Sequence, residues 1–211
     1  MNFVRKSEEK TMLTHEREIW QRGIKYIAGI DEVGRGCLFG DVVAASVILP
    51  VDLVIEEIDD SKKLTPKKRE ELFHLIQEKS IAIGIGRVDV EIIEKINIKQ
   101  AARLAMKKAV LSMPVEPEML LIDAEKIDLT IPQRSIIKGD ATSQTIAAAS
   151  IIAKVTRDRL CEEWDQLYPQ YGIKQHKGYA TKLHREMIQL YGPTPLHRRS
   201  FLDNILQPTL F

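Results

Sequence analysis

Cysteine is scarce in this chain. Cys37 and Cys161 are its two cysteines, far apart and outside any CxxC spacing. That excludes a disulfide scaffold and a thiolate zinc site, and it predicts reduced thiols in a cytoplasmic protein. An excess of charge is also missing, because 31 basic residues meet 30 acidic ones for a net charge of +1. No global polycation signature marks a nucleic-acid binder, so any such footprint must be local. No long apolar run exists either. The longest, over 42–51, is broken by Ser46 and Pro50, and the opening MNFVRKSEEKTMLTHERE has no apolar signal core. A membrane-spanning segment and a secretory leader are therefore not expected. Internal repeats and low-complexity tracts are absent as well.

What is present suits one sizeable core: 44% of 211 residues are hydrophobic. A length of this order reads as a single domain. Residues 1–24 are charged and are expected to form an N-terminal helical segment. From Tyr26 the character changes: YIAGID and DVVAASVILP are short β-branched runs around a Gly-rich turn, which predicts a hairpin. Thr65 and Pro66 make an N-cap and first-turn pair, so a helix is expected from Pro66 to about Lys79. SIAIGIGRVDV reads as a third strand, and 91–112 as one or two amphipathic helices. EMLLID, ending in Asp123, and SIIKGD, ending in Asp140, read as buried strands with a carboxylate at the C-terminal lip. A long helix over about 142–167 and another near 181–190 complete an α/β layer fold with a mixed sheet.

Three predicted strands thus end in acids: Asp31 with Glu32, Asp123, and Asp140. In open α/β sheets the working crevice lies at strand ends, where residues distant in sequence converge. Four hard oxygen donors with no histidine among them suit Mg²⁺ or Mn²⁺ better than zinc. A pair of such ions can serve phosphodiester hydrolysis. The plainer alternative, that Asp123 and Asp140 cap the turns after them, stays open on this reading.

The order of motifs adds a further signal. DEVGRG (31–36), DSKKL (60–64), LID (121–123), KGD followed by IAAASIIAKVTRDR (138–159), HKGY (176–179) and TPLHRRSF (194–201) together resemble bacterial ribonuclease HII from about Tyr26 to Phe201. The resemblance implies a ribonuclease H-like mixed β-sheet flanked by helices, with a C-terminal helical extension. It also implies a catalytic domain over 25–200 and a tail over 201–211. The implied activity is endonucleolytic cleavage of RNA in RNA/DNA hybrids and at ribonucleotides embedded in duplex DNA, leaving 5′-phosphate and 3′-hydroxyl ends. It assigns two metal ions, Mn²⁺ or Mg²⁺, to Asp31, Glu32, Asp123 and Asp140. Some relatives carry a further N-terminal hybrid-binding domain, which 1–24 is expected to be too short to form.

Substrate reading follows from the same motifs. Backbone groups of Gly34, Arg35 and Gly36 are suited to sense a 2′-hydroxyl, because missing Cβ atoms permit close approach. The resemblance assigns them that role, and it places Tyr179 on the neighbouring deoxyribose. Basic residues concentrate over 62–69 and 174–199 and are candidate phosphate contacts. Lys62, Lys154 and Arg157 stand out because they fall inside matched motifs, whereas Lys67, Lys68 and Arg69 read as a solvated helix face. Glu125, just past a strand end, and Asp158, among arginines, are assigned structural roles. Cys37, Phe39 and Asp41 depart from the usual family pattern, and Asp41 is expected to face solvent. Gln207 to Phe211 fits a sliding-clamp docking peptide, packing of the terminal Leu-Phe onto its own domain being an equal alternative, and a monomer is expected. Two rival functions are a structure-selective DNA nuclease of the same fold and a nucleic-acid-binding protein without catalysis. The Gly-Arg-Gly and Tyr179 matches disfavour the first, and acids clustered beside phosphates disfavour the second.

Overall fold

In the computed structural model of the chain, residues 12–206 are described. Five strands form one sheet: β1 (Ile27–Val33), β2 (Val42–Ile48), β3 (Ala82–Val88), β4 (Met119–Asp123) and β5 (Gln133–Ile136), in spatial order β3-β2-β1-β4-β5. The first three pair antiparallel, whereas β4 and β5 add parallel strands beside β1. The sheet is therefore mixed, as the hairpin required. The helices are α1 (Thr14–Trp20), α2 (Pro66–Lys79), α3 (Val90–Leu111), α4 (Gln144–Leu167), α5 (Ile173–His176), α6 (Lys182–Tyr191) and α7 (Asp203–Leu206). None is long and apolar enough to cross a membrane.

Strand alternation decides which helix covers which face. Ala28 and Ile30 of β1 pack with Ala101, Ala105 and Ala109 of α3. On the opposite face, β2 residues Ala45 and Val47 meet α4 through Ala147 to Ala153 and α2 through Leu72, Phe73 and Ile76. Small residues let α4 lie close. A Cβ added to Gly29 would stand 2.1 Å from the Thr145 carbonyl carbon, so only glycine lets the first turn of α4 rest on β1. The second half of α4 leaves the sheet and packs through Leu160 and Trp164 on Phe39, Tyr171 and Ile188, forming the C-terminal helical region.

Local chemistry explains the helix starts. Thr65 accepts a hydrogen bond from the Lys68 amide at 3.2 Å, with Pro66 in the first turn of α2. α3 is bent where Asn97 takes φ 65°, and its side-chain oxygen then receives the amides of Lys99 and Gln100 and caps the second half. The alternative of one helix or two over 91–112 is thus met by two helical segments that join at a kink, since Asn97 is not helical. At α4 the cap comes partly from far away. Glu16 of α1 is fully buried, and its Oε1 accepts from the Ser143 hydroxyl (2.7 Å) and from the Thr145 amide (3.0 Å) and hydroxyl (2.8 Å). A carboxylate at a helix N-terminus also faces the favourable end of the dipole. Helix α1 is consequently docked on the domain.

One strand assignment is corrected. β5 ends at Ile136, so SIIKGD is not a strand through Asp140. Lys138 takes the left-handed conformation (φ 55°) and starts a 3₁₀ turn, Gly139–Ala141, that carries Asp140.

Candidate active site at the sheet edge

Asp31 and Glu32 lie near the end of β1, and Ile30 pairs with Ile122 in parallel register immediately before Asp31 and Asp123. Alternation then directs Asp31 and Asp123 to the α4 face. Asp123 Oδ1 accepts the Gly139 amide at 2.7 Å, which ties the 3₁₀ turn and Asp140 to the tip of β4. Two αL residues, Ala124 (φ 48°) and Lys138, make the reversals on either side. The fold therefore brings together all four carboxylates that the sequence singled out.

Their electrostatics are unfavourable without a counter-charge. Burial, followed by the charges of Glu32 and Asp123, pushes the Asp31 carboxyl well above its usual value. Burial also raises Glu32, though the Arg35 guanidinium pulls the other way, and burial with Asp60 and Asp123 raises Asp140. Among the described residues no three Asp, Glu, His or Cys side chains stand in a ready-made metal-holding arrangement. The fit to a cation rests on donor chemistry instead: carboxylate oxygens whose mutual repulsion a hard divalent ion would relieve. Lys62, exposed, approaches Asp140 Oδ2 at 3.8 Å at the mouth of the site.

The turn after β1 is held from beneath. Gly34 takes φ 96°, and a Cβ there would lie 2.4 Å from Arg157 Nε. Arg157 is fully buried and donates to three backbone carbonyls: Asp41 (3.0 Å), Phe39 (2.9 Å) and Lys177 (2.8 Å). Arg198, also fully buried, donates to the carbonyls of Gly40 (2.7 and 2.9 Å) and Arg35 (3.0 Å). These guanidinia clamp the GRG turn and the HKGY loop to each other. Burial lowers Arg198 to about 10, still cationic at neutral pH. Gly36 is different: it is exposed, and among the described residues nothing lies within 4 Å of where its Cβ would be. Tyr179, 43% exposed, stands on the adjacent loop.

Behind Tyr179 lie three buried histidines. The Gly178 amide donates to His176 Nδ1 (3.2 Å), and the Thr194 amide donates to His197 Nδ1 (2.9 Å), so both nitrogens carry no proton. His197 Nε2–H then donates to His184 Nε2 (3.2 Å), and His184 Nδ1–H donates to the Tyr179 carbonyl (2.9 Å). The chain of bonds is complete with every ring neutral. Burial pushes His184 down to about 4 and His197 down to about 3.

Several expectations are corrected. Arg157 has no surface for a phosphate, and neither does Arg198 of the 174–199 cluster. Lys154 pairs with Asp158 at 2.6 Å and keeps 16% of its side chain exposed. Asp158 does form the ion pairs expected of it. Arg69 is not a solvated side chain, since it donates to the carbonyls of Ser61 and Leu64, both at 2.9 Å. Asp41 does not face solvent: it is 4% exposed and takes two hydrogen bonds from Arg87, at 2.9 and 2.7 Å. Phe39 and Cys37 are fully buried, so all three departures from the family pattern point inward. Both cysteines are free thiols.

The sequence reading also set aside Glu125, which the structure brings into the site. The αL turn at Ala124 sends it back, and it lies buried between Arg35 (3.5 Å) and Arg103 (2.9 Å). Its only sequence signal was its position two residues beyond Asp123. Gln207 to Phe211 lies outside the described residues.

Comparisons with known proteins accord with this geometry. The family model described as Ribonuclease HII matches residues 28–204. Ribonuclease HII of Alkaliphilus metalliredigens is 60% identical over 198 residues, covering 91% of this chain and 97% of that protein. The same enzyme of Alkaliphilus oremlandii is 58% identical over 197 residues, covering 90% and 97%. Among solved structures, ribonuclease H2 of Pyrococcus horikoshii superposes with a TM-score of 0.71 at 26% identity, covering 85% of this chain and 96% of that one. The ribonuclease HII of Archaeoglobus fulgidus, solved in complex with PCNA, gives 0.72 at 26%, covering 87% and 98%. Identity of this order along nearly the whole of its relatives reflects common descent, and the chain belongs to the ribonuclease HII family of nucleases.

Proposed function

We propose that this protein hydrolyses the RNA strand of RNA/DNA hybrids and cuts at ribonucleotides embedded in duplex DNA, with Mg²⁺ or Mn²⁺ as cofactor. The observation that carries this reading is the meeting of Asp31, Glu32, Asp123 and Asp140 at one sheet edge, beside the GRG turn. When bound, two such ions supply an activated water and charge neutralisation for the departing 3′-oxygen, leaving a 5′-phosphate and a 3′-hydroxyl. The protein supplies position. Asp31 and Asp123 project from adjacent strands, Asp140 is tethered through Gly139, and Lys62 meets the approaching phosphate.

Recognition of the sugar falls to the turn. The protein's own packing requires glycine at position 34, but among the described residues nothing requires glycine at 36, where an added Cβ would meet open space. A ligand that approaches the backbone closely supplies the missing reason. The 2′-hydroxyl is the group that separates ribose from deoxyribose, and backbone donors and acceptors can read it. Tyr179 offers an aromatic face to the next sugar across the clamped loops.

The deciding experiment incubates a DNA duplex carrying one ribonucleotide with Mg²⁺ or Mn²⁺, beside the matched all-DNA duplex. Cutting confined to the ribonucleotide is expected. Equal cutting of both would indicate a DNA nuclease, and binding without cutting would indicate a non-catalytic module. As a second partner we propose a sliding clamp engaged through Gln207 to Phe211, a reading supported by the archaeal relative solved with PCNA. A shortened chain ending at Ile205 should lose clamp binding.

A further inference from the structure

Arg35 is the one side chain of the GRG turn, and its position beside the carboxylates raises a difficulty. Its NH1 lies 3.2 Å from Glu32 Oε1, so the guanidinium sits on an oxygen that a divalent cation would need. Two positive charges cannot share one carboxylate cheaply. The same NH1 is also 3.5 Å from Glu125 Oε1. Glu125 is fixed: Arg103 of α3 holds its other oxygen with Nε (3.0 Å) and NH2 (2.9 Å), and the left-handed Ala124 turns it inward. Arg103 thus leaves Oε1 facing Arg35. Arg35 itself is 40% exposed along its side chain, so it is free to shift its weight from one acceptor to the other.

We propose that Glu125 is a positioning residue: it provides Arg35 with a second, pre-set acceptor, so that Glu32 is released for the cation while the guanidinium stays at the turn. The inference rests on the reading of Glu32 as a metal ligand. Without Glu125, Arg35 has Glu32 as its remaining partner among these acids and competes directly with the ion.

The test is a double-mutant cycle read by calorimetric Mn²⁺ binding to the full chain without nucleic acid, using wild type, Glu125→Gln, Arg35→Ala and the double variant. Glu125→Gln should weaken Mn²⁺ binding about threefold to tenfold. Arg35→Ala should tighten it, and adding Glu125→Gln to Arg35→Ala should then change little. Equal weakening by Glu125→Gln with and without Arg35 would show that Glu125 acts only as a nearby negative charge, and it would overturn the proposal. Mn²⁺ binding by Arg35→Ala no tighter than by wild type would overturn it as well. If wild type binds no Mn²⁺ while Asp31→Asn behaves identically, the metal-site reading itself fails, an outcome distinct from a cycle without coupling.

Discussion

The two sides of the cleft handle buried charge in opposite ways. On the sheet edge, Asp31 and Asp140 are buried and Glu32 is partly so, all three near Asp123, and each is held above its normal pKa by burial and by neighbouring acids. On the C-terminal side, Arg157 and Arg198 are buried more deeply still, yet their donors are met by backbone carbonyls and the histidines beside them are neutral. The first arrangement leaves a charge unbalanced for a ligand to balance. The second consumes its charges in fixing loops. Burial alone therefore does not mark a functional ion; what marks it is whether the protein has supplied the partners.

The comparison makes opposite demands on substitutions. On the sheet edge, Asp31→Asn should reduce cleavage of a ribonucleotide-containing duplex by more than about 100-fold, since even outer partners of metal ligands cost 10- to 100-fold. The same change should raise the melting temperature, because it removes a repelled buried carboxylate; a lower melting temperature would break the contrast. On the loop side the sign reverses. Arg198→Met should cost about 3 kcal/mol by leaving the Gly40 and Arg35 carbonyls unpaired, measured by urea unfolding. Gly34→Ala should cost about 2 kcal/mol through the positive φ and the contact with Arg157.

The histidine chain adds a pH dependence. His184 and His197 bind protons less readily folded than unfolded, where the ordinary value is 6.5. Below that value the unfolded chain holds more protons, so the stability from this cluster is complete above about pH 6.5. It falls as pH drops toward about 4. Unfolding midpoints between pH 4 and 7 should show this slope, and it should flatten in His184→Asn. The smallest effect belongs to the exposed Lys62. Lys62→Ala should weaken substrate binding modestly and reduce the salt slope by about one, whereas an unchanged slope would remove it from the phosphate path.

The sequence carried the strands and helices with strong periodicity and caps, such as Thr65-Pro66 for α2 and the β1–β2 hairpin. It carried less where a single backbone conformation redirects the chain. Asp140 seemed to end a strand because SIIKGD is apolar up to its last residues, but Lys138 in αL turns the peptide into a 3₁₀ loop. The same geometry at Ala124 hid Glu125, since an alanine gives no warning of positive φ. Arg157 looked like a phosphate ligand because it falls inside a matched motif, and a motif cannot distinguish an exposed guanidinium from one surrounded by carbonyls. Asp41 looked solvent-bound for the related reason that its partner Arg87 comes from β3, far along the sequence.

By itself, the sequence determined the mixed α/β architecture, the identity of the four carboxylates and the glycine-flanked arginine, because residue type and spacing encode local geometry and donor chemistry. Tertiary structure alone decided which charges remain available. Burial and partnership depend on what distant segments bring: Glu16 to the start of α4, Arg157 and Arg198 to the carbonyls of the 35–41 turn, and Glu125 with Arg103 to Arg35.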